Sequence, residues 1–250
     1  MKIVIIGGSG LIGSQVANML KNDHEVIAAS PATGVNTITG EGLDAVLSGA
    51  DVVVDVSNSP SFADGPVMDF FKTSTENLMQ AEKRAGIRHH IALSVVGTEK
   101  MQDAGYFRAK LVQENLIKES GIPFTIVHAT QFFEFAGAIV GMSTIDGKVK
   151  LPDAFIQPIA SADVASFIAK TASDSPVSKI VEIGGPERFL MNEWIGEYAS
   201  STQKLLEIVT DSNALYSGSA LQPTTLTPEN PVYLGSTKYN EWISQPGNQR

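Results

Sequence analysis

The sequence predicts an α/β protein: a doubly wound parallel sheet followed by a small C-terminal lobe. Three observations carry that prediction. The chain opens on KIVIIGG (Lys2–Gly8), a continuous β-branched run that stops at glycines. This is the pattern of a strand buried on both faces of a parallel sheet. Apolar runs of strand length then alternate with segments of helical spacing until about Gly141. Such alternation implies parallel strands joined by helical crossovers. Finally, 43% of the 250 residues are hydrophobic and 18% are charged, a balance that buries a core and argues against disorder.

The elements follow in order. After the first strand, LIGSQVANMLKND has helical spacing, with Leu11, Ile12, Val16, Met19 and Leu20 on one apolar side. HEVIAAS reads as a second strand, GLDAVLSGA as a short helix and DVVVDVS as another buried strand. Past a loop holding Pro60 and Pro66, VMDFFKTSTENLMQAEKRAG is a helix that Gly86 stops. HHIALSV is the next strand, a helix runs from about Tyr106 to Ser120 with Gly121 at its end, and PFTIVHA is a further strand. Beyond Gly141 the period loosens. SADVASFIAKTAS and MNEWIGEYASSTQKLL read as helices and SKIVEIGG as a strand, while the closing stretch has no clear period. With no internal repeat and no linker, the reading is one domain over residues 1–250, with roughly 141–250 forming the lobe. Right-handed crossovers line up the carboxyl ends of the strands along one edge, where ligands bind.

Charge narrows the partners. Eighteen Lys and Arg against 27 Asp and Glu give a net charge of −9, and an acidic chain without a basic run predicts no nucleic-acid partner. The sequence holds no cysteine, which removes disulfides, thiolate metal sites and cysteine nucleophiles and suits a cytoplasmic setting. No apolar run reaches membrane-spanning length. The opening MKIVIIGG lacks the longer apolar core of a secretory signal. Neither a zinc spacing nor a nucleophile elbow is present, so no metal is expected.

GGSGLIG spans Gly7 to Gly13. Gly8, Gly10 and Gly13 fit G-x-G-x-x-G, and Gly7, Gly10 and Gly13 fit G-x-x-G-x-x-G. Glycine is needed where a strand turns sharply into a helix, where backbone approaches a pyrophosphate, and where the helix packs on the sheet. The helix start then offers free N–H groups and a positive dipole end to phosphates. The motif lies between a strand and a helix in a strand–helix–strand unit, the context expected of a Rossmann-type dinucleotide site. Gly7, Ser9, Gly10, Leu11, Ile12 and Gly13 are therefore the candidate phosphate-binding residues. About twenty residues on, NAD sites usually carry an acid for the ribose hydroxyls. Here the stretch is AASPATG, with Ser30 and Thr33 and no acid or base. That favours NADP(H), with NAD(H) as the alternative, any 2′-phosphate being held by hydroxyls and backbone N–H groups.

In GYFRAKLVQE, Tyr106 precedes Lys110 by four residues, so a helix sets both on one face. A free tyrosine titrates near ~10, and a neighbouring ammonium lowers that value. A phenol so tuned can give a proton to a carbonyl oxygen as hydride reaches the carbon. Ser94, at the end of IALS, lies on the expected cofactor edge and offers a hydroxyl to the same oxygen.

GGSGLIG, ALSVVG, the Y-x-x-x-K of Tyr106 and Lys110, and SGIPFTIVHATQFFEF together resemble the short-chain dehydrogenase/reductase superfamily, in its atypical, NmrA-like NAD(P)H-binding branch. QPIASADVA and VEIGGPERF extend the resemblance into the C-terminal half. By this resemblance Ser94 orients the substrate carbonyl and Tyr106 is the general acid/base. Lys110 holds the nicotinamide ribose and lowers the tyrosine pKa. HATQ, with Ala129 and Thr130, lies by the nicotinamide. The chain departs from the pattern at His128–Ala129, where many relatives have Arg-Pro, and in lacking the basic residue of NADP-specific relatives after the second strand. Some NmrA-like proteins lose the tyrosine and act as redox sensors; this chain keeps Ser94, Tyr106 and Lys110.

Other residues carry two readings. Ser57 and Asn58, in VSNSPSF, either touch the cofactor or form a turn. His128 is either a satisfied strand-end histidine or a substrate contact. Phe132, Phe133 and Phe135 belong to the core or wall the substrate site. His89 and His90 are strand neighbours facing opposite sides, which makes them surface or loop-end residues rather than a metal pair. Asp163 reads as a cap at a helix start. The function expected is an NAD(P)H-dependent oxidoreductase acting on a small carbonyl or quinone-like substrate, as a monomer or homodimer. The alternative is a non-catalytic dinucleotide-binding sensor working through a protein partner.

Overall fold

In the computed structural model, which describes residues 1–249, the β-branched runs become central strands. In chain order the elements are β1 (Lys2–Ile6), α1 (Leu11–Leu20), β2 (Glu25–Ala29), α2 (Leu43–Leu47), β3 (Val52–Asp55), α3 (Asp64–Ala85), β4 (His89–Val95), α4 (Gly105–Glu119) and β5 (Phe124–Ala129). Then come α5 (Ala136–Ser143), β6 (Thr144–Ile145), β7 (Lys148–Leu151), β8 (Phe155–Ile156), α6 (Ser161–Ser173), β9 (Lys179–Gly184), β10 (Phe189–Leu190), α7 (Met191–Ser201), β11 (Glu207–Thr210), β12 (Pro231–Leu234) and α8 (Tyr239–Ile243).

The chain divides into two compact units. The first takes Met1–Ser94, Gly105–His128 and Val164–Val181; the second takes Val95–Ala104, Ala129–Asp163 and the residues from Glu182 onward. The main sheet has seven strands in the order β2-β1-β3-β4-β5-β9-β12. In its parallel register Ile3 stands opposite Val26 on one side and Val52 on the other, and Val52 stands opposite His89. The chain leaves β1 for β2 on one side and then returns to β3 on the other. The β1/β3 boundary is therefore a topological switch point, where diverging connections leave a crevice at the carboxyl ends. Val4, Ile6, Val53, Leu78, Ile117 and Ile126 form the center of one buried cluster beneath the helices.

Several expectations need correction. On α1, Leu11 and Met19 are exposed, and the buried stripe is Ile12, Gly13, Val16 and Leu20. Helix α3 starts at Asp64 rather than at Val67, because Pro66 sits in the first turn, where its missing N–H costs nothing. His89 and His90 are 2% and 0% exposed. They lie on β4, between β3 and β5, and both faces of that strand are covered. His89 Nε2 pairs with Thr125 Oγ1 at 2.9 Å and His90 Nδ1 with Glu82 Oε1 at 2.8 Å. Asp163 does not cap its helix start; its Oδ2 accepts the Thr237 N–H at 3.0 Å. Glu134 takes the cap instead, accepting the Ser161 hydroxyl at 2.5 Å and its N–H at 3.3 Å.

The Glu82–His90 pair makes a testable contribution. Burial pushes the Glu82 carboxyl up, against the pull of His90. Burial alone would lower His90, but the Glu82 charge and hydrogen bond raise it. With both raised, the folded state holds more protons than the unfolded one. The pair's stabilisation is then present at low pH and is lost as pH rises from the ordinary Glu value of 4.5 past the ordinary His value of 6.5. His89, lowered by burial and by the charge of His90 to about 4, opposes this trend. Glu82→Gln should therefore flatten the loss of stability with rising pH, measured by urea unfolding across the range. The same slope in both proteins would remove the pair from the acid–base balance.

The second unit holds elements that the sequence pattern did not announce. β7 pairs in parallel with β11 and antiparallel with β6. β8 pairs antiparallel with β10, and β12 runs parallel to β9. Its core is aromatic: Phe133, Trp194 and Tyr239 are fully buried, with ring centroids 5.0 Å (Phe133–Tyr239) and 5.6 Å (Trp194–Tyr239) apart. Phe132 and Phe135 stack on each other at 5.2 Å, with Phe135 partly exposed.

Candidate active site

The first part of the site is the turn from β1 into α1. Gly7 and Gly8 donate their N–H groups to Ala29 O at 3.1 and 3.2 Å, and Gly10 N–H closes the turn on Gly7 O at 2.9 Å. The glycines have different reasons to be glycine. Gly7 has a positive φ of 79°, and a Cβ there would stand 2.9 Å from the Ser57 backbone. At Gly8 a Cβ would meet Ala28 at 2.6 Å, and at Gly13 it would meet Gly7 O at 2.3 Å. At Gly10 a Cβ meets only Gly7 O, at 3.3 Å, and otherwise faces open space. Three glycines thus bring backbone together, while the fourth leaves a gap beside an α1 start that has no side-chain cap. Among the described residues, the N–H groups of Leu11, Ile12 and Gly13 have no acceptor. Such a helix start receives an anion readily. These features fit the pyrophosphate of a dinucleotide.

After β2, the Thr33 hydroxyl is engaged within its own turn, accepting the Ser30 N–H at 2.9 Å and donating to Ser30 O at 3.0 Å. The Ser30 hydroxyl is buried and has no partner among the described residues. After β3, Ser57 donates its hydroxyl to Asp55 Oδ1 at 2.6 Å. Asn58 is exposed, with its Oδ1 accepting the Ser59 N–H at 3.0 Å.

The Tyr106/Lys110 pair shares a helix, but the two side chains have different surroundings. Tyr106 is half-buried in a ring of aromatics, with centroids at 5.3 Å to Phe107, 5.6 Å to Phe62 and 5.8 Å to Phe71. Its hydroxyl has no hydrogen-bond partner among the described residues. Burial pushes the phenol up to about 12, in contrast to the lowering expected from the lysine. The reason is where the ammonium goes. Lys110 is buried, donating to Leu93 O at 2.8 Å and to Gln113 Oε1, with Nζ 4.5 Å from the center of the Phe71 ring. Burial brings Lys110 down to about 8.

Ser94 is also drawn elsewhere. Its hydroxyl donates to Glu114 Oε1 at 2.6 Å, and the same oxygen takes His128 Nε2 at 2.8 Å. Burial alone would raise the Glu114 carboxyl, but the bonds from His128 and Ser94 and the Lys110 charge hold it below its usual value. No hydrogen bond joins Ser94 to Tyr106 among the described residues. Of the two readings of His128, the structure gives it a satisfied partner in Glu114.

In the second unit, Ala129 O accepts the Val96 N–H at 3.0 Å, and the Thr130 N–H reaches Ile183 O at 3.2 Å. The Thr130 hydroxyl and both polar atoms of Gln131 are buried without partners among the described residues. Sequence reasoning missed Asp55, Gln113 and Glu114 because each acts through a partner far away in the chain. Among the described residues no group of three or more acidic or imidazole side chains could hold a metal ion, and no helix is long and apolar enough to cross a membrane.

A strand–glycine turn–helix at a topological switch point defines a dinucleotide-binding type of site. A family model described as NAD(P)H-binding matches residues 7–175. The chain belongs to that family. Photosystem II assembly factor Ycf39 of Cyanophora paradoxa is 29% identical over 149 residues, covering 54% of this chain and 46% of that protein. The chain thus spans about half the length of that relative. A dTDP-4-dehydrorhamnose reductase from Clostridium acetobutylicum is similar in structure (TM-score 0.71, 14% identity, 96% of this chain and 97% of that one). So is RMD from Pseudomonas aeruginosa complexed with NADPH (TM-score 0.71, 15% identity, 99% and 98%). The dTDP-4-dehydrorhamnose reductase of Bacillus anthracis in complex with NADP also matches (TM-score 0.73, 12% identity, 97% and 96%). At these identities the likeness is one of fold.

Proposed function

We propose that the protein is an NAD(P)H-dependent oxidoreductase that reduces a small carbonyl or quinone-like substrate, with Tyr106 as proton donor. One observation carries the reading: the Tyr106 hydroxyl has no partner, in an aromatic surround, one helical turn before a buried lysine. A bound nicotinamide would supply the hydride. The chain's own residues do the rest. The turn from Gly7 to Gly13 and the start of α1, with Ser9, Leu11 and Ile12, hold the pyrophosphate. Lys110 turns from Gln113 to hold ribose hydroxyls, and in doing so brings its charge toward the phenol. Tyr106 keeps its proton until a substrate oxygen gains charge, and the rings of Phe62, Phe71 and Phe107 keep water from that oxygen. The test is a panel of aldehydes, ketones and quinones followed by NADPH absorbance. An inactive panel with intact NADPH binding would count against the enzyme.

NADP(H) is the proposed dinucleotide. The support is the missing acid after β2 and the unpartnered Ser30 hydroxyl. Ser30→Asp should reverse the preference by repelling a 2′-phosphate, read as NADPH and NADH dissociation constants by calorimetry. Ten-fold tighter NADH binding by the wild type would defeat this reading.

A second reading, a non-catalytic dinucleotide sensor, draws support from Ser94. Its hydroxyl is held by Glu114 rather than offered to a substrate. On that reading NADPH binds without turnover and changes affinity for a protein partner.

A further inference from the structure

Four side chains form one line of hydrogen bonds in the first unit. Ser57 donates its N–H (3.0 Å) and hydroxyl (2.6 Å) to Asp55 Oδ1. The other carboxylate oxygen, Oδ2, accepts from Gln113 Nε2 at 2.9 Å. Gln113 Oε1 accepts from Lys110 Nζ, which also donates to Leu93 O at 2.8 Å. Asp55, Gln113 and Lys110 are 3%, 1% and 2% exposed, so bulk water does not screen them.

An ammonium only donates and a carboxylate only accepts. Whatever spans the two must accept at one end and donate at the other, and a side-chain amide of this length does both. A glutamate at 113 would set a second carboxylate against Asp55, and a leucine would take one hydrogen-bond partner from each of two buried charged groups. We infer that Gln113 is the positioning residue of Lys110: an amide of fixed direction relays the charge of Asp55 to the ammonium and keeps it at the Leu93 carbonyl. At its far end the line reaches Ser57, whose backbone lies against Gly7 closely enough to exclude a Cβ there. The lysine and the glycine turn are thereby joined through three intervening side chains. The groups facing Lys110 are Asp55 from β3, Glu114 from its own helix and the Phe71 ring from α3. What Lys110 does toward a dinucleotide rests on the function proposed above; the relay is tested without one.

The measurement is the titration of Lys110 by NMR of the full chain, dinucleotide-free, with 13C at the lysine Cε and the signal assigned by its loss in Lys110→Met. The wild-type lysine should titrate near 8, apart from the exposed lysines. Gln113→Leu, by removing an acceptor of the ammonium, and Asp55→Asn, by removing a facing charge, should each lower that midpoint by about one unit or more and leave the other lysines in place. Asp55→Asn keeps the shape of the side chain, so the test stands if Gln113→Leu does not fold. An unmoved Lys110 midpoint in a folded variant overturns the relay. Calorimetry with NADPH on the same samples separates the two claims: a wild type that does not bind defeats the functional reading, whereas an unmoved midpoint defeats the relay.

Discussion

Tyr106→Phe should lower turnover of an accepted carbonyl or quinone by about two to four orders of magnitude, the usual worth of a positioned general acid. The phenol ring packs among Phe62, Phe71 and Phe107, and its hydroxyl makes no hydrogen bond among the described residues. Its removal therefore costs little packing, and both NADPH affinity and thermal stability should stay near wild type. The pH profile carries a second expectation. In the dinucleotide-free protein burial pushes the phenol up to about 12, which keeps it protonated throughout the working range. A wild-type reduction rate that falls with rising pH well below 12 would mark Lys110 having moved beside it. Equal turnover in Tyr106→Phe and wild type would take the phenol out of the mechanism.

The second large effect separates two glycines of one turn. Gly13→Val should fail at the level of folding. Even a Cβ at this position meets Gly7 O at 2.3 Å and Gly8 Cα at 2.8 Å, both backbone atoms, and the overpacking of a core typically costs about 1–3 kcal/mol or more. Gly10→Val should fold, because its Cβ meets only Gly7 O, at 3.3 Å. It should nevertheless lose measurable NADPH binding, since the added methyls fill the gap beside the free N–H groups of α1. Thermal melts and calorimetry on the two variants distinguish the outcomes. NADPH affinity at the wild-type level in Gly10→Val would remove the turn from the dinucleotide site.

What the sequence disclosed was local. The β1–turn–α1 unit is legible because a β-branched run, two glycine spacings and a helical period lie within twenty residues of one another. The same holds for α6, found at SADVASFIAKTAS with its predicted bounds. The polar line through Asp55 is not legible, since Gln113 lies 58 residues from the carboxylate it reaches and neither residue belongs to a local motif. Likewise the burial of His89 and His90 depends on β4 being a central strand, which is a property of the whole sheet order. The Ser94 hydroxyl was placed on the correct strand, but its partner Glu114 comes two turns along α4 from Tyr106, and strand and helix registers decide that meeting. Some signal went unread: Asp146 and Gly147 both have positive φ, 52° and 78°, the conformation of a tight hairpin between β6 and β7, and Asp-Gly is a strong cue for it. The two-residue strands β8 and β10 are too short to leave any period.

The seven-stranded sheet has consequences beyond its crevice. An open sheet ends in two rows of unsatisfied amide and carbonyl groups, which invite strands from other molecules. Both terminal strands here are poor templates. β2 is five residues long and begins at the exposed charge of Glu25. β12 is four residues long, begins at Pro231, which has no N–H to give, and breaks register against β9 between Pro231 and Tyr233. Irregular and proline-bearing edges resist addition. Growth by strand addition is therefore blunted at both edge strands.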